Sequence, residues 1–203
     1  MSDLVCLVAD KNMEAALDGL LQRPQALGIR PLDYELLVHP RRDPGCFHEA
    51  PEFLRPYRSS HAHAIVLLDQ AWDGSPAAQG IELQRMLEGQ LDRAGLLGWA
   101  QVIVIDPELE VWLFSDSPWV EQCLGWTGQT RSLRSWLERQ HLWPAEINKP
   151  ADPKFAAERA LYEVRKPRSS SIFRDLARNI SVERCADGAF LRLKILLRQW
   201  FTS

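Results

Sequence analysis

Three short apolar runs in this chain end in the same residue. Residues 4–9 (LVCLVA) run into Asp10, residues 65–68 (IVLL) into Asp69, and residues 101–105 (QVIVI) into Asp106. Runs of this length without polar alternation fit strands covered on both faces. A strand covered on both faces needs helices above and below it, which parallel strands joined by helical crossovers supply. Parallel strands also bring their carboxyl ends to one edge, where open α/β sheets collect ligands and catalytic groups. The three aspartates are therefore expected at one edge.

The segments between the runs support this. Asn12 can cap a helix over residues 13–27 that stops at Gly28. Residues 34–38 read as a further strand. Residues 39–45 carry two prolines, a glycine and Arg41-Arg42, and read as a loop. A short helix is expected over 51–57. Ser75-Pro76 is a helix start, and apolar residues at helical spacing carry that helix to about residue 96. The order strand, helix, strand, helix, strand, helix, strand predicts a mainly parallel four-stranded sheet flanked by helices.

After Asp106 the pattern changes. Residues 108–114 (ELEVWLF) read as a helix entered through Pro107. Helices are expected over 132–141, 152–165, 172–179 and 189–201. The division predicted is an α/β domain over residues 1–125 and an all-helical part over 126–203 packed on it.

Charge is uneven along the chain. Residues 151–203 hold eleven Lys and Arg against six Asp and Glu, whereas the rest holds thirteen against twenty-one. A basic end beside an acidic body suits phosphate contact on one side and a cation on the other, or two solvated surfaces that attract each other. The four cysteines form no Cys-x-x-Cys pair, which excludes zinc-knuckle and redox motifs. With no basic region leading into a long apolar core, no signal peptide or membrane span is expected. A cytoplasmic protein follows.

The acidic residues at the strand ends are the main chemical candidates. Asp10, Asp69 and Asp106, with Asp73, Glu108 and Glu110 close behind, form a carboxylate set without Cys or His. Such a set suits Mg²⁺ or Mn²⁺. The same residues could equally be turn and helix-cap aspartates. Arg165, Lys166 and Arg168, followed by Ser169–Ser171, make a basic turn before a helix: a phosphate site or a solvated loop. His61 and His63 share a strand face without a third metal ligand at a characteristic spacing.

The order LVCLVADKNME, IVLLDQAWDG and VIVIDPELEVWLF resembles small Toprim-like proteins of bacterial anti-phage defence loci. These are distant relatives of the overcoming-lysogenisation-defect nucleases. NKPADPKFAAERALYE and the helical end resemble that family's C-terminal part. The resemblance implies Mg²⁺- or Mn²⁺-dependent DNA cleavage or phosphoryl transfer, with partners in the same defence system, conceivably a methylation-associated one. Asp69, Asp73, Glu108 and Glu110 would be metal ligands. Asp10 or Glu14 would position water or the leaving oxygen, and Arg165, Lys166 and Arg168 would hold phosphate. The chain departs from the family pattern twice. Ala9-Asp10 stands where a glutamate is usual, and Asp69-Gln70-Ala71 replaces Asp-x-Asp. Those departures favour an alternative: a catalytically degenerate module that docks onto larger defence proteins, through an apolar surface around Trp119 and Trp126.

Overall fold

A computed structural model describes residues 1–115 and 117–202. Four strands, β1 (Ser2–Val8), β2 (Tyr34–Val38), β3 (His61–Asp69) and β4 (Ala100–Ile105), form one parallel sheet in the order β2-β1-β3-β4. Residues 4–8 of β1 and 64–68 of β3 are fully buried, which explains why these central strands lack polar alternation. The chain leaves β1 toward β2 on one side and reaches β3 on the other. The strand order therefore reverses between β1 and β3, the crevice where such sheets bind ligands.

Helix α1 (Lys11–Leu21) packs against β1 and β2. The helices α3 (Arg42–Leu54) and α4 (Gly80–Arg93) touch each other and cover β1, β3 and β4. A short α2 (Pro24–Leu27) follows α1, and a 3-10 turn, Leu109–Leu113, follows β4. Five further helices complete the chain: α5 (Pro118–Leu124), α6 (Leu133–Arg139), α7 (Pro153–Glu163), α8 (Ser170–Asn179) and α9 (Gly188–Phe201). They are not a detached appendage. Helix α8 lies along α1, and α9 reaches β4, where Arg192 Nε donates to the edge carbonyl of Val102 at 3.2 Å. Gly19 makes the α1–α8 approach possible, because a Cβ there would lie 2.7 Å from the Arg174 carbonyl oxygen and 2.9 Å from Ala177 Cβ.

Several expectations are corrected. Residues 39–45 are not all loop, since α3 begins at Arg42, and it takes in the first part of the helix expected at 51–57, whose remainder, Arg55–Tyr57, is a 3-10 turn. The helix expected over 13–27 is two helices. The first starts at Lys11 because Asp10, not Asn12, is its cap: Asp10 Oδ1 accepts from the N–H groups of Asn12 and Met13 at 2.8 and 2.9 Å. Ser75-Pro76 does not start α4. Asp106 caps that helix from outside, its Oδ2 accepting from Gly80 N–H at 2.7 Å, and the missing Gly80 side chain permits this approach. Residues 108–114 form only a 3-10 turn, entered through a cis Asp106–Pro107 bond.

His61, His63 and Trp126 are packing groups. His63 stacks on Trp200 at 4.3 Å, and His61 meets Ser60 Oγ at 2.9 Å. Trp126 is buried against Trp136, so the apolar surface expected around Trp119 and Trp126 is reduced to a partly exposed Trp119. All four cysteines are buried free thiols. No helix among the described residues is long and apolar enough to cross a membrane.

Candidate functional site

The carboxyl ends of β1 and β3 open into a cleft of about 420 Å³. This is within the usual size range of small-ligand sites. Asp10 reaches it from the start of α1, Asp43 from the first turn of α3, and Asp69 from the end of β3. Asp73 comes from the loop beyond β3, and Glu108 and Glu110 from the turn after β4. Basic residues line the same cleft: Arg41 and Arg42 at the start of α3, Lys154 on α7 and Arg168 before α8. Trp72 adds an aromatic side.

Asp69 is the hub. Its main-chain N–H donates to Asp43 Oδ1 at 2.8 Å, and its own Oδ1 accepts from Leu109 N–H at 2.8 Å. One bond fixes α3 to the strand end. The other fixes the turn that carries Glu108 and Glu110. Burial pushes the Asp69 carboxyl well above the ordinary carboxylate range, and repulsion from Asp43, Glu110, Glu108 and Asp10 adds to it. Burial also raises Asp43, against the backbone hydrogen bond it accepts from Asp69. Glu110 is raised by burial despite the neighbouring Arg168 charge.

The two glutamates are held by two of these basic residues. Lys154 Nζ donates to Glu108 Oε1 at 2.8 Å, and this bond raises the lysine. Arg168 is hydrogen-bonded to Glu110, and its other terminal nitrogen lies 3.4 Å from Glu158.

Of the residues singled out from the sequence, Asp10, Asp69, Asp73, Glu108, Glu110 and Arg168 line this cleft. Glu14 does not; it pairs with Lys11 on the first turns of α1, Oε2 to Nζ at 2.7 Å. Asp106 is turned toward α4 as its cap. Arg165 and Lys166 lie on a separate open surface, where Lys166 Nζ donates to the Cys123 carbonyl at 2.7 Å.

Sequence reasoning missed Asp43, Lys154 and the cleft position of Arg41 and Arg42. One signal for Asp43 was present: Asp43-Pro44 repeats the Asp-Pro start read correctly at Asp152-Pro153, but neighbouring prolines and glycine made the segment look like a loop. Lys154 had no local signal. Its role depends on α7 crossing the sheet edge.

The donor chemistry fits a hard divalent cation, since the acidic groups that five segments deliver to the cleft are all carboxylates, with no Cys or His among its described lining residues. As arranged, no group of three His, Cys, Asp or Glu side chains among the described residues stands ready to hold a metal. Each of three of these carboxylates has a partner: Glu108 meets Lys154, Glu110 meets Arg168, and Asp69 Oδ1 accepts from Leu109 N–H.

Comparison of the chain with protein-family models, curated proteins and solved structures finds no match.

Proposed function

We propose that this chain is a Toprim-like, divalent-cation-dependent phosphoryl-transfer or nuclease component of a bacterial anti-phage defence system. One observation carries the chemical part of this reading: six carboxylates and four arginine or lysine side chains line a single cleft at the β1/β3 switch point. A phosphate ester bound together with Mg²⁺ or Mn²⁺ has the matching polarity, because carboxylates take the cation and arginine or lysine takes the remaining phosphate oxygens. The biological setting rests on the resemblance of the three Asp-terminated motifs to defence-associated Toprim-like chains.

In this reading the chain's residues divide the work. Asp69, Glu108 and Glu110 present the oxygens for the cation, with Asp73 in support. A bound Mg²⁺ or Mn²⁺ would polarise the phosphoryl group and lower the pKa of water. Asp10 faces the same cleft and orients the attacking water or the leaving oxygen. Its caps to Asn12 and Met13 N–H hold it in place. With a cation on Glu108 and Glu110, Arg168 and Lys154 would be available to hold phosphate oxygens. The experiment is cleavage of plasmid and single-stranded DNA with Mg²⁺ or Mn²⁺, comparing the wild type with Asp69→Ala. Loss of cleavage in the variant supports the reading; equal cleavage removes the site assignment, and no cleavage by the wild type removes the nuclease.

A second reading is favoured by the ion pairs on Glu108 and Glu110 and by Ala71 in place of a second aspartate. Here the same scaffold docks onto a larger defence protein without chemistry. It predicts that Asp69→Ala and Glu110→Gln leave phage protection intact in a plaque assay.

A further inference from the structure

We infer that Arg42 is the anchor for a phosphate group of the substrate, held in the cleft by the left-handed turn through which the chain enters α3. The inference rests on the phosphoryl-transfer reading and names a substrate-binding residue for it.

Two observations converge on Arg42. The first is its freedom. The other three cations of the cleft are already engaged: Arg41 with Glu49, Lys154 with Glu108, and Arg168 with Glu110 and Glu158. Among the described residues, no ion-pair or hydrogen-bond partner meets the Arg42 guanidinium. It is exposed, yet it lines an indented site that also holds a set of carboxylates.

The second is its backbone. Among the described residues, three that are not glycine have positive φ: Arg42 at 51°, His141 at 59° and Arg165 at 54°. His141 and Arg165 follow the last turns of α6 and α7, where the following residues, Leu142 and Lys166, donate back to Leu137 and Leu161. A left-handed residue at that place closes a helix, and its strain has a local return. Arg42 instead opens a helix, where no such closure is needed. A bulky residue held in this region at a cleft wall is a strain that surrounding structure maintains, and such strain collects at ligand-binding sites. The surrounding structure is plain: Arg42 N–H donates to the His39 carbonyl at 3.0 Å, and on its other side Asp43 accepts from Asp69 N–H. The turn that places Asp43 among the acids thereby places Arg42 at the lining of the same cleft.

A phosphate ester suits this position better than a carboxylate. The acidic side repels a simple anion, but a phosphate can share a divalent cation with the acids while leaving oxygens for a guanidinium. A free nucleotide and a nucleic-acid strand both offer this group.

The test is isothermal titration of wild type, Arg42→Gly and Arg42→Lys with adenosine monophosphate and with a single-stranded oligothymidylate, each in Mg²⁺. Glycine accepts the left-handed conformation without strain, so Arg42→Gly folds with an equal or higher Tm. Its affinity for the phosphorylated probe falls roughly ten- to a hundredfold, the loss expected for one charged hydrogen-bonding partner. Arg42→Lys recovers part of it. If the oligonucleotide is the tighter probe, the ligand is a strand, and its log–log salt slope drops by about 0.7 in Arg42→Gly. If the mononucleotide binds equally well, the ligand is a small phosphate ester. Wild-type binding with unchanged affinity in Arg42→Gly overturns the role of Arg42 alone. Failure of the wild type to bind either probe overturns both this inference and the phosphoryl-transfer reading.

Discussion

Asp43 and Asp69, 26 residues apart, are joined by one hydrogen bond of 2.8 Å from the Asp69 main-chain N–H to Asp43 Oδ1. Both side chains are acidic, yet the bond is made by the backbone of one and the carboxylate of the other. It brings two negative groups into one cleft, and each is displaced upward in pKa, burial first. The arrangement costs stability, because a buried carboxylate among carboxylates is destabilised.

Removing the acceptor should expose that bond's value. In Asp43→Ala the Asp69 N–H is left without its partner at a largely buried position. We expect a loss of about 1–3 kcal/mol in urea unfolding. Asp43→Asn keeps the acceptor oxygen and should cost clearly less.

Neutralising the hub should stabilise the protein. Asp69, Asp43 and Glu110 all have carboxyls raised in the folded state. Groups raised in this way contribute stability below the unfolded carboxylate value, about pH 4, and lose it as pH rises through their elevated folded values. Asp69→Asn keeps an oxygen for Leu109 N–H and cannot ionise. It should raise stability at neutral pH by about 1–2 kcal/mol and flatten the decline above pH 4, read as Tm against pH. Mg²⁺ should raise the Tm of the wild type and not of the variant.

Arg168 can be tested apart from the acids. Arg168→Gln removes the charge facing the nearly buried Glu110. Because the arginine is itself partly exposed, the loss should be modest, about 1–2 kcal/mol. Added Mn²⁺ should restore more stability to this variant than to the wild type, since its glutamate no longer has a competing cation. An equal Mn²⁺ response in both proteins would remove Glu110 from the cation site.

The contact between the helical end and the sheet domain depends on Gly19. Gly19→Ala places a Cβ 2.7 Å from a backbone oxygen of α8, which cannot yield as a side chain would. We expect it to destabilise by more than about 1 kcal/mol, with the cost read in chemical denaturation. Gly89→Ala in α4 is the control. Its nearest neighbour would be the Arg93 side chain at 3.6 Å, so higher helix propensity should stabilise by about 0.5–1 kcal/mol.

The sheet was legible because its signal is local. Runs such as residues 4–8 and 64–68 are apolar without alternation because both faces are covered, and that pattern survives whatever the rest of the chain does. Asp10 and Asp69 were legible for the same reason, as the polar residues that end those runs. Asp106 looked equivalent and is not. Its capping bond to Gly80 involves a helix whose start Ser75-Pro76 had disguised.

What the sequence determined by itself was therefore the parallel α/β frame and the edge at which two of its aspartates meet. Local hydrophobic periodicity encodes an element, and the crossover rules order the elements. Only the tertiary structure decided which charges face one another there. Asp43 and Arg42 arrive on a helix start read as loop, and Lys154 and Arg168 come from elements more than forty residues beyond Glu108 and Glu110. Electrostatic pairing depends on distance in space, and no spacing along the chain records it.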